Sequence, residues 1–236
     1  LGCHSAYMRK SGEPIAYPDL ETLAGFGWNC GLSTPDAIIL ANDLCLRLGL
    51  DITETSAALA FMIECRERGL SNAGNLAWGD AESIVGAIRR LGQRQEKRDI
   101  LSLGVGEMQE VYYGSHIFAP QARHMALPAL DPRALAELTL AAAVAPIGGD
   151  YRYAMMFEAL LPEAPTWLPD DPSNPHAIRG KVPRLIWHER FAAAVDAAGL
   201  CRRLALLAYQ VAPTELNELL SATLGRPVNG VEVAML

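Results

Sequence analysis

Thr34-Pro35-Asp36-Ala37-Ile38-Ile39-Leu40-Ala41-Asn42-Asp43-Leu44-Cys45-Leu46-Arg47-Leu48-Gly49 decides the fold class. Thr34 is a helix N-cap, Pro35 suits the first helical position, and Gly49 stops the run. Between them Ile38, Ala41, Cys45 and Leu48 fall on one side of a helix. The same grammar repeats outward. Asp51 to Thr55 opens a helix whose Leu59, Met62 and Ile63 face inward and which Gly69 ends. Asp80 caps another, with Ile84, Ala87, Ile88 and Leu91 on one face and Gly92 at its end. Upstream, Pro18 to Trp28 reads as a short helix with Leu20, Leu23 and Ala24 on one side, and residues 1–17 show no clear period.

Downstream, short helices are expected over Arg98–Leu103 and Glu107–Tyr112, then an irregular stretch over 114–130. Asp131-Pro132 opens an Ala/Leu-rich helix to Ala145, broken by Pro146 and Gly148-Gly149, and a helix from Tyr151 to Leu161 follows. Pro162 to Pro175 carries five prolines and is a loop. Helix resumes from His176 toward Cys201, and Thr214–Leu224 is the last, closed by Gly225. Strand signals are scarce, so the fold is mainly α. The irregular stretch suggests a boundary near 127, with domains 1–126 and 127–236.

At 236 residues, half of them hydrophobic, the chain can bury a sizeable core. The formal charge of −7 speaks against a nucleic-acid partner. The longest apolar run, Leu135 to Ile147, is too short to span a bilayer. Five scattered cysteines (3, 30, 45, 65, 201) are an odd number and suit reduced thiols in a cytoplasmic protein. Cys30, Cys45 and Cys65 read as packing. The start at Leu1, without methionine, suggests a processed or partial chain.

Asp196-Ala197-Ala198-Gly199-Leu200-Cys201, after the apolar run Trp187–Val195, concentrates more chemistry than any other stretch. A carboxylate can accept hydrogen bonds from an amino-substituted heterocycle, glycine admits a close backbone approach, and a thiolate can bind iron. Gly-Leu after a helix is also ordinary C-cap chemistry, and Cys201 can equally be an inert core thiol. Asp196, between Val195 and Ala197, would be costly to bury unpaired.

Four stretches together resemble the tungsten-containing aldehyde ferredoxin oxidoreductases. They are Tyr17–Leu23 with Gly27–Gly31, Ala41–Cys45 with Leu48–Asp51, Leu127–Arg133, and Asp196–Cys201, the last fitting the family's Asp-x-x-Gly-Leu-Cys pterin motif in full. The resemblance implies a two-lobed helical region like that family's domains 2 and 3. It implies oxidation of an aldehyde to its acid, on a tungsten or molybdenum bis-pterin beside a [4Fe–4S] cluster, with electrons passed to ferredoxin or a similar carrier. Cys201 and Cys3 match cluster ligands, Asp51, Asp196, Gly199 and Leu200 the pterin-binding positions, and Glu21 a general acid/base. From the residues alone Glu21 is a surface carboxylate, Asp51 a helix cap, and Cys3 a free thiol near a terminus. Departures are Leu46 where the first pterin motif has Asp, Leu40 and Asp43 where some members have a Glu-x-x-His iron site, and Tyr151 in place of a histidine. The N-terminal cofactor-binding domain or subunit is not among these residues, which leaves a non-catalytic helical scaffold or partner subunit as the alternative.

Overall fold

The computed structural model describes residues 6–8, 12, 14–72, 74–94, 99–161, 165, 167 and 179–229. The Cys3 assignment, the start of helix at His176 and most of the proline-rich loop lie outside them. The chain separates into two compact units, Leu1–Asp131 and Pro132–Leu236.

The first unit begins with an antiparallel hairpin of β1 (Ala6–Met8) and β2 (Pro14–Ala16), paired Ala6 to Ala16 and Met8 to Pro14. Each strand is only three residues long, too short to show a period in the sequence. The Asn42 side chain ties β2 to the helix over Pro35–Leu48, its Nδ2 donating to the Ala16 carbonyl at 3.0 Å. Helix α1 (Leu20–Thr22) is capped by Asp19, whose Oδ1 accepts from Thr22 N at 2.9 Å, and runs into a wider π turn over Leu23–Asn29. The expected inward face is wrong for two residues. Leu20 and Leu23 are exposed, and Glu21, Thr22, Ala24, Gly25 and Phe26 are buried.

Helices α2 (Pro35–Leu48), α3 (Ile52–Glu67) and α4 (Ala81–Gly92) form the body of the unit. Asp51 and Asp80 cap the last two with their side chains, as their positions predict. Phe26, Phe61, Leu59, Ile63, Ile84 and Ile88 make the core. Gly92 closes α4 for a reason other than the one expected. A Cβ there would lie 2.6 Å from Leu48, so glycine lets α4 lie close to the end of α2, and the chain turns two residues later at Arg94 (φ 49).

A 3₁₀ turn (Ile100–Leu103) leads into α5 (Gly104–Val111), and a further 3₁₀ turn spans Ser115–Ile117. The stretch expected to be irregular holds a second hairpin, β3 (Gln121–Ala122) with β4 (Met125–Ala126). Its two-residue turn is Arg123-His124, both at positive φ (54° and 64°). That is the type I′ geometry normally signalled by Asn-Gly, absent here, so the sequence does not announce it.

The second unit opens with a 3₁₀ turn (Pro132–Ala134) and α6 (Ala136–Val144), which starts four residues after Pro132. The helix expected over Tyr151–Leu161 does not form. Two 3₁₀ turns, Tyr151–Tyr153 and Glu158–Leu160, flank Met155, whose φ of 53° breaks the helical path. Helix α7 (Lys181–Ala197) follows, then a π turn over Arg203–Leu207 that periodicity did not show, and α8 (Pro213–Leu224). No helix among the described residues is long and apolar enough to cross a membrane.

Candidate functional site

The residues singled out by sequence lie at three places, each within one unit. Glu21 is the first. On the inward side of α1 it is only 7% exposed. Its carboxylate receives the Ala129 N–H at 2.7 Å and the Leu130 N–H at 3.4 Å. Glu21 is thus no surface carboxylate. It orients, and is oriented by, the backbone of the Leu127–Leu130 segment, which the Leu127 N–H to Pro120 carbonyl bond (2.8 Å) also holds.

Asp51 is the second. It is exposed and caps α3, its Oδ1 accepting from Glu54 N at 2.7 Å. It also lines a pocket of 780 Å³ with Glu54, Arg94, Asp99, Leu101 and His124. That volume lies within the range of small-molecule sites. Glu54 and Asp99 turn carboxylate oxygens onto the walls. Glu54 accepts from Val105 N at 2.6 Å and from Ala126 N at 2.9 Å, and Asp99 from Leu101 N at 3.0 Å. Arg94 and His124 both reach this pocket from backbone positions of positive φ.

Third is the Asp196–Cys201 turn at the end of α7. Gly199 adopts φ 72°, and the Leu200 N–H donates to the Val195 carbonyl at 3.0 Å. The Gly-Leu step therefore does form a C-cap turn, a Schellman arrangement that exposes the residues on either side. Asp196 escapes the cost of unpaired burial on both counts, being neither buried nor unpaired. Its side chain keeps 43% of its exposure and forms a two-pronged pair with Arg202, Nε lying 2.8 and 2.9 Å from Oδ1 and Oδ2. Arg202 also lies over the Tyr153 ring, 4.8 Å from its centre, and donates to the Arg152 carbonyl at 3.0 Å.

Cys201 is exposed, not an inert core thiol. Burial pushes the Cys30 and Cys45 thiols up to about 12 and Cys65 up to about 11. Those three are poor thiolate donors, in keeping with packing roles. Of the described cysteines, Cys201 alone is placed to offer sulfur to a metal or cluster. Among the described residues no three His, Cys, Asp or Glu side chains converge as a metal site.

Sequence reasoning missed a buried charged network in the second unit. Lys181, Arg184 and His188 follow one another along the inward stripe of α7, each at most 4% exposed. The Lys181 Nζ lies 2.8 Å from Glu137 Oε2 of α6. His188 Nδ1 sits 3.1 Å from the Ala154 carbonyl and so carries a hydrogen there; Nε2 is 3.0 Å from Glu158 Oε1. Tyr209 donates to Glu158 Oε2 at 2.9 Å, and Arg184 Nε stands 3.7 Å from Oε1. Burial acts to raise the Glu158 carboxyl, but the bonds from His188 and Tyr209 outweigh it and hold the group below its usual range. The same surroundings push the Tyr209 phenol up, burial first. The signal was present in the spacing: positions 181, 184 and 188 continue the stripe of Leu185, Ala192 and Val195.

Comparison with known proteins bears on the chain as a whole. The family model described as aldehyde ferredoxin oxidoreductase, domains 2 and 3, matches residues 1–235. A tungsten-containing aldehyde ferredoxin oxidoreductase of Thermococcus kodakarensis is 29% identical over 88% of this chain and 34% of its own length. Those of Pyrococcus furiosus and Pyrococcus abyssi are 28% and 27% identical over 95% of this chain and 37% of theirs. The chain spans about a third of the length of the curated relatives it matches. Its helical fold and the family match across both units agree: the chain belongs to the aldehyde ferredoxin oxidoreductase family, over that family's second and third domains.

Proposed function

We propose that this chain is the helical part of a tungsten- or molybdenum-dependent oxidoreductase that converts an aldehyde to its carboxylic acid. The observation that supports this best is Asp51, an exposed carboxylate lining a 780 Å³ pocket, at a position that the resemblance matches to pterin contact. Carboxylate oxygens there meet the need of an amino-substituted ring for hydrogen-bond acceptors. Asp196 offers a second such group at the C-cap turn, where Gly199 and Leu200 keep the backbone bare. Cys201 contributes an accessible thiol as one ligand of a [4Fe–4S] cluster, with Cys3 its proposed companion. Asp51, Asp196 and Cys201 are the residues of this chain that would hold the group, which when bound would supply two-electron oxidation of the aldehyde and an iron–sulfur outlet toward ferredoxin or a similar carrier. Glu21 is the proton-handling candidate, its carboxylate aimed by the Ala129 and Leu130 amides. The remaining pterin and cluster contacts would come from an N-terminal domain or subunit.

The full-length protein purified without oxygen should contain iron and tungsten or molybdenum, and should reduce a viologen dye when given an aldehyde. Cys201→Ser should cut the iron content, and Asp51→Asn should weaken retention of the pterin. A protein with neither metal, inert toward every aldehyde tried, would sink this reading.

One observation favours the alternative, a non-catalytic helical scaffold. Asp196 is already paired within its own unit by Arg202. On that reading Asp196→Ala and Cys201→Ser would leave both metal content and activity unaltered.

A further inference from the structure

We propose that Glu54 is the positioning residue of the Asp51 pocket, its carboxylate clamping two separate walls into the shape that receives an amino-substituted heterocycle. This rests on the pterin reading above and deepens it. Three elements meet at the pocket: the first turn of α3, the entry to α5, and the β3–β4 hairpin. Glu54 is bonded to all three. Its own N–H donates to Asp51 Oδ1 at 2.7 Å. Its Oε1 accepts from Val105 N at 2.6 Å, just inside α5, and its Oε2 from Ala126 N at 2.9 Å, on β4. The two amides lie 51 and 72 residues along the chain from Glu54, so no local geometry brings them together.

The choice of side chain follows from the donors it meets. Two backbone N–H groups arriving from different directions call for two acceptor oxygens, which only a carboxylate supplies. Glutamine would turn an NH₂ toward one of the N–H groups. Aspartate, one methylene shorter, would not reach both. The walls held this way carry the strained residue His124, whose positive φ persists only where its surroundings fix it. Gly104 leaves the room Glu54 needs, for a Cβ at that position would lie 2.6 Å from Oε1.

The test uses the 236-residue chain with Glu54→Gln and Glu54→Asp variants. Amide hydrogen exchange is followed residue by residue, and free pterin is titrated and read by its own fluorescence. The clamp predicts exchange at Val105 and Ala126 at least tenfold faster in Glu54→Gln, with Leu59 to Ile63 in the core of α3 unchanged. It also predicts pterin affinity lowered at least tenfold under conditions where both proteins are folded. Glu54→Asp should show the same pattern and serves if the glutamine variant does not fold. Unchanged exchange at the two amides overturns the clamp. Faster exchange with unaltered pterin affinity overturns the positioning role and leaves a purely structural contact. Faster exchange in a wild-type background that shows no saturable pterin binding supports the clamp and overturns the pterin reading on which it was built.

Discussion

Gly106→Ala is the substitution that tests the packing behind the pocket most directly. Gly106 lies inside α5, where alanine is intrinsically better than glycine by about 1 kcal/mol. Helix propensity alone therefore predicts stabilisation. The structure predicts the reverse. A Cβ at 106 would fall 2.5 Å from His124 Cα and 2.6 Å from its carbonyl carbon, well inside contact distance. These are backbone atoms of a two-residue turn already at positive φ, so no side-chain rotation relieves the clash. The turn is held too: the His124 N–H donates to Gln121 Oε1 at 3.0 Å, and Ala126 N is bonded to Glu54. Forcing a methyl group into a packed contact costs roughly 1–3 kcal/mol, and here the backbone must move, so the upper part of that range applies. After the helix gain is subtracted, the net loss is about 2 kcal/mol. With a urea m-value of about 2 kcal/mol/M, the unfolding midpoint should fall by about 1 M, read by circular dichroism at 222 nm. Gly86→Ala is the matched control. It is also inside a helix, but the nearest atom to its new Cβ is the tip of Arg90 at 3.5 Å, so it should gain about 0.5–1 kcal/mol. If Gly106→Ala matched or exceeded the wild-type midpoint, α5 would not be pressed against the hairpin and the pocket wall would have to be drawn differently.

Three further outcomes follow from the site geometry. His188→Phe removes one hydrogen-bond partner of the buried Glu158 carboxylate and should destabilise by about 1–3 kcal/mol, the cost of leaving a buried acceptor short of a partner, measured by denaturant unfolding. The acid side of the stability curve should carry the same carboxylate. Because Glu158 is held below the ordinary glutamate value of 4.5 in the folded state, its contribution is complete above that pH and drains away as pH falls through the lower folded value. Glu158→Gln should flatten that part of the curve; an unchanged slope would contradict the network. Among the described cysteines, Cys201 should react with a maleimide in the native protein at pH 7.5, and Cys30, Cys45 and Cys65 only on unfolding; peptide mapping by mass spectrometry decides it.

Where the chain follows local rules, its sequence was enough. Helix α2 begins at Pro35 and ends before Gly49 because proline and glycine act within one turn of the boundary, although the Thr34 side chain makes no capping bond. Asp51 and Asp80 cap where aspartate must cap. The failures are places where distant contacts overrule local preference. Arg123 and His124 take up a turn conformation that glycine or asparagine would favour, under the hold of Glu54 and α5. Met155 interrupts a stretch of good helix formers where the Ala154 carbonyl accepts from His188 Nδ1 and the Phe157 N–H donates to the Tyr209 hydroxyl. On its own residues Glu21 reads as a surface group, because nothing in its neighbourhood reveals that Ala129 and Leu130 will come to meet it. Buried charges on α7 are half legible: the spacing puts Lys181 and Arg184 on the inward stripe, and only their partners on other elements stay hidden.

That distinction also decides how to weigh the Arg202 pair against a cofactor role for Asp196. Two ion pairs in the second unit look alike in distance, 2.6 Å for Arg202 with Asp196 and 2.8 Å for Lys181 with Glu137. They differ in surroundings. Lys181 and Glu137 are 5% and 0% exposed, so separating them strands a charge in the interior at several kcal/mol. Arg202 and Asp196 keep 25% and 43% of their exposure, and water stands ready to take over either partner. A pair of that kind is worth about 0–1 kcal/mol. A ring presenting two N–H donors to Asp196 would replace Arg202 bond for bond and release it to its remaining contacts, the Tyr153 ring and the Arg152 carbonyl. The pairing thus sets only a small barrier to ligand binding at Asp196. It would argue against a cofactor role only if the carboxylate were as deeply enclosed as Glu158, and the C-cap turn at Gly199 is what keeps it in the open.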